Sequence, residues 1–452
     1  MSAVRAAARQ TFLALRVRNY RLYFTGQVIS VSGTWMQTTA LAVLVVYPLH
    51  GSGVDLGLVT ALQFLPMLLF GTWGGLIADR VNKRTMLFVT QSTAMVLAVV
   101  LASLTLSGKI ELSQVYVLAV LLGFFNMFDN PARQTFISEL VGRDLLPNAI
   151  SLNSVLMNGS RVIGPAIGGA IFILLGDGFR SVAICFFINA ATFAAVIIAL
   201  SLMRTSELHR TPAVVRAKGQ LREGFRYVWS TPSIRDPLFV MAIVGIFAFN
   251  FTVTLPLFAK LTFHASAGLF GAFTAAMGAG AVIGGLIVAH RSRPSPRMMA
   301  FIGVAFGAMI LAVSAAPNKV LAIVLLVPMG ACSISFIATG NATLQLRADP
   351  SKRGRVMALY AIAFLGSTPI GAPLVGYIST TAGPRIALVV GGVATLGAST
   401  LLALRYRHRA VPSADDAAGE NAAGAVVPTD AEPGEVVDFP GRGLRQGGAA
   451  LG

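Results

Sequence analysis

One short charged stretch between two apolar runs holds the residues of this chain best placed for chemistry. It reads Gly-Gly-Leu-Ile-Ala-Asp-Arg-Val-Asn-Lys-Arg over residues 74–84. Asp79 is the only acid in the stretch, and its carboxylate can accept hydrogen bonds at the positive N-terminal end of a facing helix. The neighbouring cations can pair with Asp129, a second acid further along the chain. The stretch therefore predicts charge contacts that can form and break between helices.

The residues of these contacts, called the predicted gate for the role that the resemblance described below gives them, are Gly75, Asp79, Arg80, Lys83, Arg84, Asp129 and Arg133. In a simpler interpretation the cations only stop two helices on one side of a membrane, which leaves the acid in their midst unexplained. Asp129 is also the best-placed candidate for proton coupling, which needs a group whose protonation changes during a cycle. It could equally serve only to lock the gate. The other acids of the first half are expected near a span end (Asp55) or in a loop (Glu139 and Asp144).

Two segments of the first half recur in the second half at nearly the same offset. Residues 284–291 repeat the charged stretch 210 residues later, with Ala289 where the first copy has its acid. Residues 159–169 recur as 366–376, an offset of 207. This indicates a duplicated protein with six-plus-six architecture, whose parallel halves rock about a central site.

Arg161 lies about a third of the way into a predicted membrane span, where an unpaired cation is expensive. We expect it to face the protein interior and to have a partner. It could bind an anionic group of a substrate, respond to protonation of a nearby acid, or be a structural hydrogen-bond hub for Asn158, Asn153 or neighbouring helix carbonyls.

The same predicted span carries small residues that allow another backbone to approach closely. Pro165 among them removes one helix hydrogen bond, and either tight packing or a hinge would fit the pattern. The motif comprises Arg161, Gly164, Pro165, Gly168 and Gly169. The residues predicted to line a substrate cavity are Arg161, Gln37, Asn158 and Asn250.

Composition places the chain among membrane proteins. Of 452 residues 55% are hydrophobic and 12% charged, with a mean hydropathy of +0.74, whereas soluble domains carry about 25% charged residues. Apolar runs of about 20 residues are the length of a membrane-spanning helix, and lipid-facing open sheets would leave backbone groups unpaired. The sequence predicts an all-α membrane bundle with twelve spans: 22–47, 56–78, 85–107, 112–130, 149–175, 180–203, 236–259, 267–289, 298–316, 319–345, 355–380 and 384–404.

Two polar segments interrupt this pattern and divide the chain. Residues 1–203 are predicted to form an N-terminal six-helix half and 236–405 a C-terminal half, joined by a linker at 204–235. Within the linker, Leu221 to Trp229 has helical spacing and is expected along the membrane surface. The tail at 406–452 is rich in Ala, Gly, Pro, Asp and Glu, which predicts disorder.

The distribution of charge predicts the orientation of the chain. The net charge is +17, and 29 of the 35 Lys and Arg residues fall on one side of the predicted topology, against five on the other. By the positive-inside rule, both termini face the cytoplasm. The basic loops suit anionic lipid headgroups, and this placement argues against nucleic acid as a partner.

Several motifs together resemble one transporter family. Gly75-x3-Asp79-Arg80-x2-Lys83-Arg84 resembles the cytoplasmic loop signature of the major facilitator superfamily, with Asn82 where the family usually has Gly. Gly164-Pro165-x2-Gly168-Gly169 resembles the helix-five signature of that superfamily's drug/proton antiporters. Residues 129–134, 146–165 and 353–358 are similar to the enterobactin-exporter-like branch, also called transmembrane secretion effectors. The resemblance covers roughly residues 10–405.

The resemblance implies a secondary active exporter of small organic molecules, drug-like or siderophore-like, in a bacterial cytoplasmic membrane. It also implies proton antiport, and it makes predicted helix eleven the partner of Asp79. A metabolite facilitator or importer of the same fold, and a non-transporting sensor or scaffold, remain alternatives. We expect no enzyme activity, cofactor or metal, because the sequence shows no catalytic triad, phosphate-binding loop or metal-ligand cluster. Substrate identity and oligomeric state stay open.

Overall fold

A computed structural model describes residues 12–209, 220–291, 294–350, 352–364 and 366–407, without the side chains at 72, 75, 76, 78, 79, 220–224 and 289–291. Every regular element in these residues is helical. The first half contains α1 (Arg18–Val46), α2 (Gly53–Arg80), α3 (Lys83–Leu106), a helical run at Leu112–Leu175 and α6 (Phe179–Ser201). The linker contains α7 (Gln220–Ser230). The second half contains α8 (Pro232–Phe247), α9 (Phe251–Leu257), a π-helical turn (Phe258–Thr262), α10 (Ala267–Arg291), α11 (Pro296–Ser314), α12 (Lys319–Arg347), α13 (Arg353–Phe364), α14 (Thr368–Thr381) and α15 (Pro384–Arg405).

The run Leu112–Leu175 consists of two helices. Its 64 residues would extend roughly 96 Å as one straight helix, about three times the thickness of a bilayer core. Gly142 breaks it with a backbone φ of 71°, a conformation that glycine adopts without strain. We name the helix before Gly142 α4 and the helix after it α5. Among the described residues eleven helical segments are long and apolar enough to cross a membrane, and this division makes twelve spans, as predicted.

The predicted end of the fourth span at residue 130 is wrong. The helix continues through Pro131 as far as Gly142, because the loss of one backbone hydrogen bond at a proline does not by itself end a packed helix. Glu139, expected in a loop, therefore lies on α4 and is buried.

We call the spans before α7 (α1–α6) the first half and those after it (α8–α15, in which α8 with α9 and α13 with α14 each make one span) the second half. The halves meet where α2 packs on α14 and where α5 packs on α10. Both contacts bring backbones together: a Cβ atom on Gly376 would lie 2.0 Å from the carbonyl oxygen of Gly53, and one on Gly271 would lie 2.4 Å from Cα of Gly169. Glycine is therefore required at these crossings.

The bundle has two ends, which we name by their loops. The basic end is where α2 leads into α3 and where the described chain begins and stops, and the opposite end is where α1 leads into α2. The surface helix predicted at Leu221 to Trp229 is present as α7 at the basic end. The tail predicted to be disordered lies outside the described residues from 408 onward.

Aromatic packing distinguishes the interiors of the two halves. In the second half Phe249 contacts the rings of Phe251, Phe306 and Phe364 at centroid distances of 5.1–5.8 Å. These large side chains pack against one another inside the second half. The first half contains a cavity.

Candidate functional site

A cavity of about 340 Å³ lies among the helices of the first half, within the size range of small-molecule sites. Its walls come from α1–α6, and Thr252 on α9 is the lining residue from the second half. Apolar and aromatic side chains such as Trp35, Phe64 and Phe125 alternate there with amides and hydroxyls. Such a surface suits an organic molecule that has a few polar groups.

An ion pair between Asp129 and Arg133 lies in the cavity wall. Both residues are on α4, one turn apart, and Nε and Nη2 of Arg133 donate to Oδ2 of Asp129 at 3.1 and 2.5 Å. The other carboxylate oxygen accepts hydrogen bonds from Thr90 and Gln91 on α3, both at 2.8 Å. Asp129 is only 3% exposed, so these four bonds compensate the cost of removing its charge from water. This pair is the principal charged feature of the cavity.

Several polar atoms around the pair are buried without a hydrogen-bond partner among the described residues. Nη1 of Arg133 donates to Oε1 of Gln27 at 3.0 Å, but the amide nitrogen of Gln27 has no acceptor. The hydroxyl of Tyr23 and Oε1 of Gln91 are also unpaired. Unpaired buried groups are costly, and two of these, the Tyr23 hydroxyl and Oε1 of Gln91, can accept hydrogen bonds from the Arg133 guanidinium.

The predicted cavity-lining amides occupy different environments. Gln37 lines the cavity and accepts a hydrogen bond from Asn189 at 2.6 Å. Asn158 donates to the Ser154 carbonyl within its own helix and is not among the lining residues. Asn250 is buried at the break between α8 and α9, where it donates to the Ile246 carbonyl at 2.7 Å. Of the three amides, the structure therefore brings Gln37 to the cavity.

Arg161 is not among the residues that line the cavity, and it has no carboxylate partner in the described part of the chain. Its guanidinium lies over the ring of Trp35, 5.1 Å from the centroid. Trp35 and Met157, one helical turn before Arg161, both line the cavity, so Arg161 is on the cavity-facing side of α5. The expected hub with Asn153 and Asn158 is not found, and the described contact is a cation–π interaction.

The predicted gate cations have other partners than the expected Asp129. The ammonium of Lys83 donates to Oε1 of Glu139 at 2.6 Å, and both side chains are about nine-tenths buried. Nε of Arg84 donates to the Leu200 carbonyl at 2.7 Å. Pairing of these two cations with Asp129 was wrong because the helical continuation of α4 brings Glu139 to Lys83, while Arg84 bonds a carbonyl of α6. Arg80 is exposed at the end of α2.

The side chains at positions 75 and 79 lie outside the described residues. The predicted contact of the Asp79 carboxylate with helix eleven, which we call the acid latch, therefore stays a prediction.

The small residues of α5 serve two helix contacts. Gly164 lies against α1, where a Cβ atom would be 2.4 Å from the Ser32 carbonyl oxygen. Gly168 also approaches α1, at Met36, whereas Gly169 approaches α10. Pro165 is buried among them. The motif therefore packs α5 between its own half and the other half.

The sequence analysis missed two polar features at the opposite end. Asp55, noted only as lying near a span end, caps α2: it accepts bonds from the Ser52 amide and hydroxyl at 2.7 Å and from Tyr116 at 2.8 Å. The Ser52-x-x-Asp55 spacing of a capping box could have predicted this role. Lys260 donates to the Val46 carbonyl, and Tyr47 donates to the Ala265 carbonyl at 3.0 Å, so both bonds join the two halves.

No group of three or more His, Cys, Asp or Glu side chains in the described ranges could hold a metal ion.

The chain resembles known membrane transporters in sequence. The sequence profile of the transmembrane secretion effector family matches residues 9–436. The staphyloferrin A transporter of Staphylococcus aureus is 24% identical over 83% of this chain and 93% of its own length. The enterobactin exporter EntS of Shigella flexneri is 25% identical over 85% of this chain and 91% of its own length. The multidrug efflux pump Tap of Mycolicibacterium fortuitum is 26% identical over 74% of this chain and 83% of its own length.

Solved structures with the same arrangement of helices include two transporters. One is a bacterial homologue of the human lysosomal transporter Spinster in an inward-facing, occupied conformation, with a TM-score of 0.69, 15% identity and coverage of 88% of this chain and 99% of that chain. The other is the nucleoside transporter NupG, with a TM-score of 0.64, 11% identity and coverage of 86% and 100%. At these identities the likeness establishes the fold alone.

Proposed function

Because the chain belongs to the transmembrane secretion effector family of the major facilitator superfamily, we propose that it is a secondary active exporter of small organic molecules, driven by proton antiport. The family and its relatives are transporters and not enzymes. The observation that carries the proposal is the buried Asp129–Arg133 pair in the wall of the cavity. It supports the proposal because a buried carboxylate lies in the wall of a cavity whose volume is in the range of small-molecule sites.

The geometry supports competition between a proton and a substrate for Asp129. A proton on Asp129 removes the negative charge that holds Arg133, and Gln27, Tyr23 and Gln91 offer the released guanidinium other partners. A substrate group that donates to Asp129 would occupy the same oxygens. Two ligands that exclude each other at one site are negatively coupled, which is the requirement for antiport.

The helices that carry this pair also carry the buried pair at the basic end. α3 provides Thr90, Gln91 and Lys83, while α4 provides Asp129 and Glu139. A change in charge at Asp129 alters the bonds between α3 and α4 at mid-bundle. Because packed helices are bistable rather than continuously deformable, such a change can favour one of two arrangements of the gate.

Arg161 supports a substrate that also has a negatively charged group. Its guanidinium has the Trp35 ring as its described contact and no carboxylate, and an anion bound there would offset the cost of a cation at membrane depth. The relatives named as siderophore exporters and as a multidrug pump agree with drug-like or siderophore-like cargo.

The orientation is also part of the proposal. The excess of Lys and Arg at the basic end supports cytoplasmic termini in a bacterial inner membrane. Reporter fusions at residue 407 test it: a reporter that is active only in the cytoplasm should be active, and activity of a periplasm-dependent reporter would contradict the orientation.

Transport in inverted membrane vesicles tests the function. Vesicles acidified inside should take up labelled siderophores or drugs, and collapse of the pH gradient should abolish uptake. Asp129→Asn should lose gradient-driven uptake. Asp144→Asn is the control for the same substitution, since its carboxylate is exposed and does not line the cavity. Uptake that persists without a pH gradient would refute antiport, and uptake only in right-side-out vesicles would identify an importer.

A further inference from the structure

The surface helix α7 lies where a membrane span begins. It ends at Ser230, and α8 starts at Pro232 after the single extended residue Thr231. The segment from Pro232 to Thr262 is apolar enough to cross a membrane. The C-terminal end of α7 is therefore at the height of the membrane boundary on the basic end.

Contacts with the second half fix how α7 is rotated. Val228 is buried, at 4% exposure. The hydroxyl of Tyr227 accepts a hydrogen bond from the Asp349 amide at 3.1 Å, and the ammonium of Lys352 lies 4.7 Å from the centre of the Tyr227 ring. These contacts direct one face of α7 toward the loop before α13.

The other face of α7 presents two large aromatic side chains. Phe225 and Trp229 are 57% and 63% exposed, and their rings stack at 5.6 Å. They are four residues apart and so lie on the same side of the helix. Aromatic side chains, and tryptophan above all, favour the interface between lipid headgroups and acyl chains.

The charge around this aromatic pair is basic. Arg226, which lies between Phe225 and Trp229 in the sequence, is exposed. The segment 204–235 contains seven Lys or Arg residues and two acids. Basic residues beside an apolar helix face are typical of helices that lie on anionic membranes. We propose that α7 is a docking surface for the anionic lipid of the membrane that the bundle spans. The proposal depends on the proposed orientation only in assigning this leaflet to the cytoplasmic side.

Tryptophan fluorescence of the full-length protein tests the contact. The chain has three tryptophans, so Trp35→Phe with Trp73→Phe leaves Trp229 as the only probe. The protein is reconstituted in vesicles of phosphatidylcholine, alone or with equal parts of phosphatidylglycerol, whose acyl chains carry bromine as a quencher. We expect bromine near the headgroups to quench Trp229 more than bromine at the bilayer centre, since such helices are buried by about 5–10 Å.

The charge contribution is measured with a matched pair of variants. Arg226→Gln should lower the ratio of lipid-docked to undocked α7 in phosphatidylglycerol vesicles by about fivefold, as expected for one basic residue near an anionic surface. Arg407→Gln, which removes an exposed cation of the same end outside α7, should leave that ratio unchanged.

Quenching of Trp229 by aqueous iodide but not by brominated lipid would overturn the proposal and indicate a soluble partner or free solvent. Equal quenching in both lipid compositions would refute the anionic preference. Neither measurement requires transport. The test of lipid docking is therefore independent of the test of the proposed export, and either can fail without the other.

Discussion

The ammonium of Lys260, in the second half, donates a hydrogen bond to the carbonyl oxygen of Val46, the last residue of α1 in the first half. A cation thus sits at the negative C-terminal end of a helix from the other half. The side chain also lies 5.2 Å from the ring centre of Tyr47, whose hydroxyl bonds back to Ala265. The π-helical turn that carries Lys260 is a form common at functional sites. This contact joins the halves at the opposite end, and its loss should release them there.

Removing the Lys260 cation should favour separation of the halves at the opposite end. Lys260→Met loses a hydrogen bond to a charged donor, worth about 1.5–3 kcal/mol, so the ratio of closed to open molecules should fall by tenfold or more. Spin labels at Lys109→Cys and Ala382→Cys, exposed positions at this end of the two halves, report the distance in a chain without its native cysteines. Lys319→Met, an exposed cation of the same end, is the control. An unchanged distance distribution in Lys260→Met would show that the contact does not hold the halves together.

Asp177 should make the same closure depend on pH. It lies between α5 and α6, where burial raises the pKa of its carboxyl above the ordinary value while a hydrogen bond from the Ala267 amide at the start of α10 lowers it. A raised pKa means that the closed form holds the proton more tightly. The proton on Asp177 therefore stabilises the closed form fully when the pH is below the ordinary pKa of the carboxyl. This stabilisation is lost as the pH rises through the raised pKa of Asp177. The spin-label distance should lengthen over that range and become independent of pH in Asp177→Asn; lengthening on acidification would reverse the assigned sign.

A methyl group at the crossing of α2 and α14 should separate the two halves. Gly376→Ala places a Cβ atom 2.0 Å from the Gly53 carbonyl oxygen, and overpacking typically costs about 1–3 kcal/mol. We expect a lower melting temperature in detergent. Gly397→Ala on α15, where nothing lies within 4 Å, should stabilise the helix by up to about 1 kcal/mol. Equal melting temperatures for the two variants would argue against a close crossing.

The acid of the first charged stretch should matter for switching, whereas the histidine of its second copy should not. In the predicted contact Asp79 accepts hydrogen bonds at the N-terminal end of a facing helix, and a bond to a charged acceptor is worth about 1.5–3 kcal/mol. Asp79→Asn should therefore lower gradient-driven uptake by tenfold or more. His290 follows Ala289, the position at which the second copy has no acid. The variant His290→Ala should therefore retain near-normal uptake. Normal uptake by Asp79→Asn in protein of normal abundance would remove the acid latch from the mechanism.

Sequence alone was sufficient for the class of fold because hydropathy is a local property. Apolar runs of spanning length, a duplication offset and the positions of basic residues require no knowledge of neighbours in space. The same holds for the family, since its motifs are contiguous. Even Gly142, which ends α4, acts through its own backbone conformation.

Only the tertiary structure decided which polar groups meet. The sequence directed Lys83 and Arg84 to Asp129, but α4 continues past Pro131 and brings Glu139 to Lys83 instead. Likewise, nothing in the sequence around Asp129 points to Thr90 and Gln91 on another helix.

The physical reason is that a helix which is apolar on all sides gives no periodic signal of its rotation, and rotation decides whether a polar side chain faces a cavity, a helix or lipid. Gln37 and Asn250 looked equivalent in the sequence, yet the first lines the cavity and the second stabilises a helix break. The contact between Lys260 and Val46 joins residues 214 positions apart, so only packing of the two halves could bring that cation to the end of α1.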